Sequence, residues 1–519
     1  MNNIPIKKIY VGELDAKDEL YMDERGGRTI LLNSFVQPPG VDIEKFQVGE
    51  KFLIIGTKGS GKTAFLGYMK SKLDENYEKS ALILFKSEID EAARIGFTKS
   101  NHIFSITDQK NLAVEYDFRD SWRHLIFKQL IIRLSEVDAP GYGKHIEFLK
   151  RLFGVADPLP RMSFRDFGLK KIELSLRAAW AQVQASAEFF ELVKSVDNTQ
   201  PMSVDRILGI AERILEQIRF LPNFRYYVFL DELELFNEHE DQLSRDLALI
   251  RDLIVVADQF NRWSWRTQLP FLAYVSARTE VIEEVKKGRD EINKLVRACG
   301  QTISWGEIVD EEHHPLLTAI ERKIQLSEVY ERGEQSGDVL RRYFPESLFG
   351  ESAAKYLLDI SMFRPRNMVA LLKAASGRAG SDDTMFGGHI FSRSQTIFSA
   401  DIWNEVKDDL AVAYTPKQIE IIRAALSGWT EFFNANSFRQ RIENLGFERS
   451  TPKLNRLIDP SDYQELLERL FRSGAIGQDY VVIAGSRRRR QRWSFRDHHE
   501  VVPDGRYMIH KSLRKILGY

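Results

Sequence analysis

Read for apolar and polar positions, the chain alternates short, predominantly apolar runs with longer stretches of helical period. Phe52 to Ile55, residues 80–87 (SALILFKS), Tyr226 to Leu230 and residues 269–278 (LPFLAYVSAR) are the short runs. Runs this short and without alternation read as strands buried on both faces, as in a parallel sheet. Apolar residues at a 3.6-residue period predict helices from Thr63 to Lys72 and over 117–135, 169–195, 203–220, 241–260 and 279–298, with Ser203 as an N-cap. Gln301 to Trp305 reads as a further short strand. Strand, helix, strand order predicts an α/β fold with a doubly wound parallel sheet. The second and third strong strands lie far apart, and helical periodicity between them predicts a helical insertion over about 100–200.

Beyond 311 the pattern is helical as far as SMFRPRNMVALLKAAS. Arg364-Pro365-Arg366-Asn367 opens an amphipathic helix with proline in its first turn, and Met368, Leu371 and Leu372 share one face. Residues 376–394 are rich in Gly, Ser and Asp and predict a linker or flexible loop. Three helices follow, Pro416–Leu426, Phe438–Leu445 and Tyr463–Ser473, then strands Tyr480–Ala484 and Gln491–Phe495 around a loop at 485–490. Three helices and a two-stranded wing describe a winged helix, and 506–517 suggests a closing amphipathic helix. The expected organisation is a lead-in over 1–45, a nucleotide-type core over 46–310, a helical lid over 311–380, a linker over 381–410 and a basic winged-helix-like domain over 411–519.

Composition narrows this picture in three ways. The 519 residues suit about three domains. No apolar run reaches membrane-spanning length, and the first residues show no signal-peptide core. A single cysteine, Cys299, excludes an intrachain disulfide and a cysteine-based zinc site and suits a cytoplasmic protein. The net charge of −1 conceals an asymmetry: 411–519 has 19 Lys and Arg against 12 Asp and Glu, so it carries +7 and the remainder −8. A basic terminal module suggests a polyanion such as DNA or RNA. Arg487, Arg488, Arg489, Arg490 and Arg492, with Trp493, are the candidate phosphate contacts; a solvated hairpin tip or a protein-binding wing is the alternative. The pairs His313-His314 and His498-His499 lack partners at metal spacing and read as surface or turn residues.

The chemistry concentrates after the first strand. Gly56-Thr57-Lys58-Gly59-Ser60-Gly61-Lys62-Thr63, followed by Ala64, fits G-x-x-x-x-G-K-[ST] at every fixed position. Glycines let the backbone curl its N–H groups around phosphate oxygens. Lys62 reaches the β- and γ-phosphates, Thr63 ligates Mg²⁺, and the following helix turns its positive end to the phosphates. The third strand ends at Asp231-Glu232. Asp231 would hold Mg²⁺ through water and Glu232 would polarise the attacking water; Glu234, two residues on, reads as a surface residue that could substitute for Glu232. Arg278, closing the run at Ser276-Ala277-Arg278, is a candidate γ-phosphate sensor. Arg366, with Arg364 second, would reach the same phosphate from the lid, and Arg297 is a candidate for action on a neighbouring copy.

These parts resemble the STAND and origin-recognition branch of the AAA+ ATPases. The S-A-R strand end is similar to the h-h-h-T-T-R step of NB-ARC-type switches. The layout also resembles a group of bacterial P-loop ATPases of this length with a K-G-[ST]-G-K-T-A loop, a D-E-[LF]-[DE] acidic motif and an H-[KR]-[SA]-L-R-K-x-L tail, here Lys58 to Ala64, Asp231 to Glu234 and His510 to Leu517. The resemblance implies a P-loop NTPase core with lid and winged helix, ATP binding with Mg²⁺ and hydrolysis, and membership of a lineage common in anti-phage defence. The 168 residues from Thr63 to Asp231 exceed the usual AAA+ spacing, hence the insertion. An ABC-type reading lacks an L-S-G-G-Q signature, and a helicase reading lacks a second lobe. The expected function is a slow or partner-stimulated ATPase acting as a switch or homo-oligomeric assembly. The alternatives are a non-hydrolysing ATP-bound adaptor for an effector protein and a nucleotide-gated DNA-binding regulator.

Overall fold

The computed structural model describes residues 3–26, 30–74, 79–84, 102–106, 112–155, 169–189, 192–193, 203–231, 240–287, 290–306, 310–335, 337–411, 413–429, 432–448, 460–484, 486–496, 500–502 and 505–518. The chain divides into two compact units. A sheet unit comprises 42–55 and 66–301; a second unit comprises 1–41, 56–65 and 302–519.

The sheet unit is α/β. Its strands are β1 (Leu53–Gly56), β2 (Lys79–Leu84), β5 (Tyr226–Asp231), β6 (Phe271–Arg278) and β7 (Gly300–Thr302), in the order β2-β5-β6-β1-β7. β2, β5 and β6 pair in parallel, Ser80 with Tyr227 and Tyr227 with Leu272. β1 and β5 are buried along their whole length, so these runs show no alternation. Helix 240–266 is pinned to β6 by Asn261, whose amide donates to Ala273 O (2.9 Å) and accepts from Ala273 N (2.7 Å). Helix 119–133 packs beside it, with Trp122 Nε1 donating to Leu249 O at 3.0 Å. The insertion expected over about 100–200 holds helices 119–133, 143–152 and 169–185, and helix 204–217 follows it. The insertion also holds a hairpin absent from the expectation, β3 (His102–Ile106) with β4 (Leu112–Tyr116). Ser203 caps helix 204–217 as expected, its hydroxyl accepting from Arg206 N. The single helix expected over 279–298 is two, 279–286 and 290–299.

The second unit joins lead-in, lid and terminal module without a linker. Helix Gly388–Leu410 occupies most of the stretch expected to be one. Its buried residues Ile390, Phe391, Ser394, Phe398, Ile402, Val406 and Leu410 follow a helical stripe. The loop proper is confined to 379–387 between helices 365–378 and 388–410. The lead-in is tied to helix 315–332: Lys323 forms a buried pair with Glu19 (2.7 Å), and Tyr10 N donates to Ser327 Oγ (3.0 Å). Among the lid helices a short hairpin intervenes, β8 (Ser347–Leu348) with β9 (Glu351–Ser352).

The terminal module has helices 416–426, 435–448 and 460–472. Three strands follow: β10 (Ile476–Ala484), β11 (Ser486–Arg492) and β12 (Arg506–Ile509). They form an antiparallel sheet in the order β11-β10-β12, one strand more than the expected wing. The closing helix expected over 506–517 is instead β12 and a short 3-10 turn, Lys511–Leu513. Leu513 and Leu517 are buried, and Ile516 N donates to Ser399 Oγ of helix 388–410. Among the described residues no helix is long and apolar enough to cross a membrane.

Candidate nucleotide-binding site

The site is built on the loop that leaves β1. Gly59 and Gly61 have φ of +75° and +94°, the left-handed region that only glycine enters without strain. Ser60 N donates to Thr57 O (3.2 Å), closing a turn, and Phe65 N donates to Gly61 O (2.9 Å) at the start of helix Lys62–Asp74. The Lys62 amine folds back onto the carbonyls of Gly56 (2.9 Å) and Thr57 (3.0 Å), which holds its charge at the loop. Thr63 and Ala64 lie in the first turn of that helix. Ser60 Oγ is buried without a hydrogen-bond partner among the described residues. A side chain at Gly56 would collide with it, so the turn favours glycine there.

The same unit encloses the loop with residues far along the chain. Trp305, expected as a strand end, donates from Nε1 to Ser60 O at 2.9 Å. His314 Nε2 bonds Trp305 O at 2.9 Å, while its Nδ1 accepts from Leu316 N and caps helix 315–332. Donation from Nε2 and acceptance at Nδ1 assign the neutral tautomer, and burial pushes its pKa down. His314 is thus a buried cap rather than the surface residue expected, whereas His313 is exposed and pairs with Asp310. His498 and His499 lie outside the described residues.

The R-P-R turn meets the loop directly. Arg366 N donates to Gly59 O (3.3 Å), and a Cβ on Gly59 would come within 2.9 Å of Arg366 Cβ. The Arg366 guanidinium donates to Leu14 O (2.8 Å) and stands 3.6 Å from Asp15. Arg364 is buried and donates to Ser473 O at 2.9 Å, tying the turn to the terminal module. Met362 and Phe363, just before it, both have φ of +54°, a strained pair that delivers Arg364-Pro365-Arg366 to the loop. Phe363 stacks on Phe495, and Phe495 meets His510 edge-on. Two further residues come from helix 388–410. Asp408 pairs with Lys58, and Glu405 lies 3.9 Å from Arg364 and 4.0 Å from Arg366. The Gly- and Ser-rich stretch before the helix draws Glu405 and Asp408 into an expected linker; the apolar stripe from Ile390 to Leu410 is the signal that recovers them.

In the sheet unit, Asp231 closes β5 and is buried, and the neighbouring strand end places the Ser276 hydroxyl as a donor to its Oδ1. Arg278 ends β6, is largely buried and stands 3.8 Å from Glu280. Glu232 and Glu234 lie outside the described residues. Arg297 is exposed on helix 290–299.

The basic run of the terminal module is not in a hairpin loop. Arg487 to Arg490 lie within β11, in register with Ile483 to Tyr480 of β10, and the pairing extends to Ala484 with Ser486. Strand pairing therefore sets their spacing. Arg492 lies over the Tyr480 ring. Trp493, named beside the candidate phosphate contacts, packs against Phe495 and His510.

Comparison with curated proteins finds none that matches the chain. Residues 314–407 match the model of the FunZ-associated C-terminal helical domain. The match runs from the His314 cap to the residue before Asp408, so this part of the chain, including Arg364, Arg366 and Glu405, is similar to that helical domain.

Proposed function

We propose that the chain binds ATP with Mg²⁺ at residues 56–64 and hydrolyses it as a nucleotide-dependent switch. The observation that carries this reading is the loop itself: a complete phosphate-binding motif at the end of a buried strand, with Gly59 and Gly61 left-handed and Lys62 turned onto the loop carbonyls. The donor set fits the ligand. Backbone N–H groups and the Lys62 ammonium suit phosphate oxygens, and the start of helix 62–74 adds its dipole. The Thr63 hydroxyl and the Asp231 carboxylate are hard oxygen ligands suited to Mg²⁺. Asp231 closes β5 of the same sheet that contains β1, at an edge where open α/β sheets bind ligands. ATP would supply the phosphoryl bond to be broken and Mg²⁺ the charge neutralisation. Glu232 is assigned the water-orienting role by its place after Asp231 in the chain. Arg366 adjoins the loop backbone at Gly59, and Arg278 ends the neighbouring strand β6. Arg364, bonded to Ser473, offers a route from the loop's surroundings to the terminal module. In this reading the chain is a member of the STAND and AAA+ lineage.

Nucleotide binding and phosphate release measured on the wild type, Lys62→Ala and Glu232→Gln test the proposal. Wild type should bind and hydrolyse ATP, Lys62→Ala should lose binding, and Glu232→Gln should bind without hydrolysis. Background rates for all three would defeat the hydrolytic reading. Saturable binding without hydrolysis in the wild type would favour an ATP-bound adaptor.

A further inference from the structure

Helix 388–410 brings two carboxylates to the cations around the phosphate loop. Asp408 pairs with Lys58, a residue of the loop. Glu405 is 7% exposed and stands 3.9 Å from Arg364 and 4.0 Å from Arg366. Its Oε1 lies 3.5 Å from the position a Cβ would take on Gly59, so a buried negative charge abuts the backbone of the loop. Lys58, Arg364 and Arg366 therefore face carboxylates one turn apart on a single helix.

A carboxylate and a phosphate make the same demand on these cations, since both accept charge-assisted hydrogen bonds from ammonium and guanidinium groups. They also repel one another, most strongly where water is excluded. We propose that Glu405 and Asp408 form a carboxylate latch that competes with nucleotide phosphates for Lys58, Arg364 and Arg366 and thereby sets ATP affinity. The inference rests on the reading of residues 56–64 as a nucleotide site. Filling that site moves these cations from carboxylate to phosphate, and helix 388–410 loses its hold on the loop. The two carboxylates contribute unequally. Glu405 is nearly dry and weakly screened, whereas the Asp408 side chain is 50% exposed and screened by solvent.

Isothermal titration of the full chain with ATP, ADP and AMP, each with Mg²⁺, tests the latch in the wild type, Glu405→Gln, Asp408→Asn and Lys62→Ala. The two carboxylate substitutions keep shape and remove charge. ATP should bind about tenfold tighter to Glu405→Gln, the scale of one buried charge-assisted contact. It should bind roughly two- to fivefold tighter to Asp408→Asn, the scale of an exposed ion pair. AMP, with a single phosphate, should change less than ATP in both. Thermal melts establish that each variant is folded, and the exposed Asp408 provides the variant least able to disturb folding. Unchanged or weaker ATP binding by folded variants, with a wild type that binds, overturns the latch alone. A wild type that binds no better than Lys62→Ala overturns the nucleotide reading and the latch with it.

Discussion

Replacing Gly59 with alanine probes the seam between the phosphate loop and the R-P-R turn. Two terms set its magnitude. The backbone at Gly59 has φ of +75°, which costs an L-residue about 1–2 kcal/mol. The new Cβ would lie 2.9 Å from Arg366 Cβ, an atom fixed to the first turn of helix 365–378 rather than the end of a flexible chain. Relieving that clash moves the helix or the loop, at about 1–3 kcal/mol for an overpacked site. Gly61→Ala is the matched control. Its φ of +94° carries the same kind of conformational cost, but its Cβ would lie 3.7 Å from Pro365 Cγ, an ordinary separation. Gly59→Ala should therefore cost about 2 kcal/mol more than Gly61→Ala, a difference of roughly 4–8 °C in melting temperature for a unit of this size. Scanning calorimetry measures it. Arg366→Gly supplies the cycle: with the Arg366 Cβ gone, Gly59→Ala should cost no more than Gly61→Ala does. Equal melting of the two glycine variants, or no relief in the Arg366→Gly background, would refute the steric reasoning.

Four further outcomes follow from the structure. Trp305→Phe removes the donor to Ser60 O and should cost about 1–2 kcal/mol in a thermal melt; on the proposed nucleotide reading it should also weaken ATP binding. Lys323→Met leaves the Glu19 carboxylate buried without its ammonium and should cost about 3–5 kcal/mol; adding Glu19→Leu should recover most of it, read from the same melts. His124, His314 and His510 are buried, and desolvation depresses their pKa values, to about 3 for His124. Their unfolded forms take up protons first as pH falls below about 6.5, so stability present above that pH is lost below it, by up to about 1.4 kcal/mol per pH unit per histidine. Melting temperatures from about pH 7.5 to about pH 5 should fall accordingly, and a flat profile would contradict the neutral assignments. Finally, affinity for DNA across a salt series tests the polyanion expectation for the basic module: changing Arg487, Arg488, Arg489 and Arg490 to serine should lower the slope by about one for each phosphate no longer neutralised, and a wild type without salt-dependent affinity would refute it.

Short-range features are legible in the sequence because their causes are local. The phosphate-loop pattern needs glycine at turns and lysine at the helix start, and those residues are contiguous. The wholly apolar runs at Phe52, Tyr226 and Leu272 announce buried strands. Ser203 and Pro416 mark helix starts through capping and a fixed backbone angle. The misreadings share a different cause. Gly387 and Gly388 make 381–410 look like a linker, yet the apolar stripe behind them has a partner surface to cover. Arg487 to Arg490 look like a loop because their charge masks the pairing that β10 offers them.

Residues 56–63, by themselves, determine a tight loop followed by a helix with a lysine at its start, because the constraint is one of backbone angles and adjacent side chains. Tertiary structure alone decided what surrounds it. Trp305 braces Ser60, Arg366 meets Gly59, and Glu405 and Asp408 answer the nearby cations, all from positions far along the chain. No local propensity encodes such pairings; they form when burial of separate apolar faces brings distant helices together, and charges left near the loop are then satisfied by whichever partners that packing supplies.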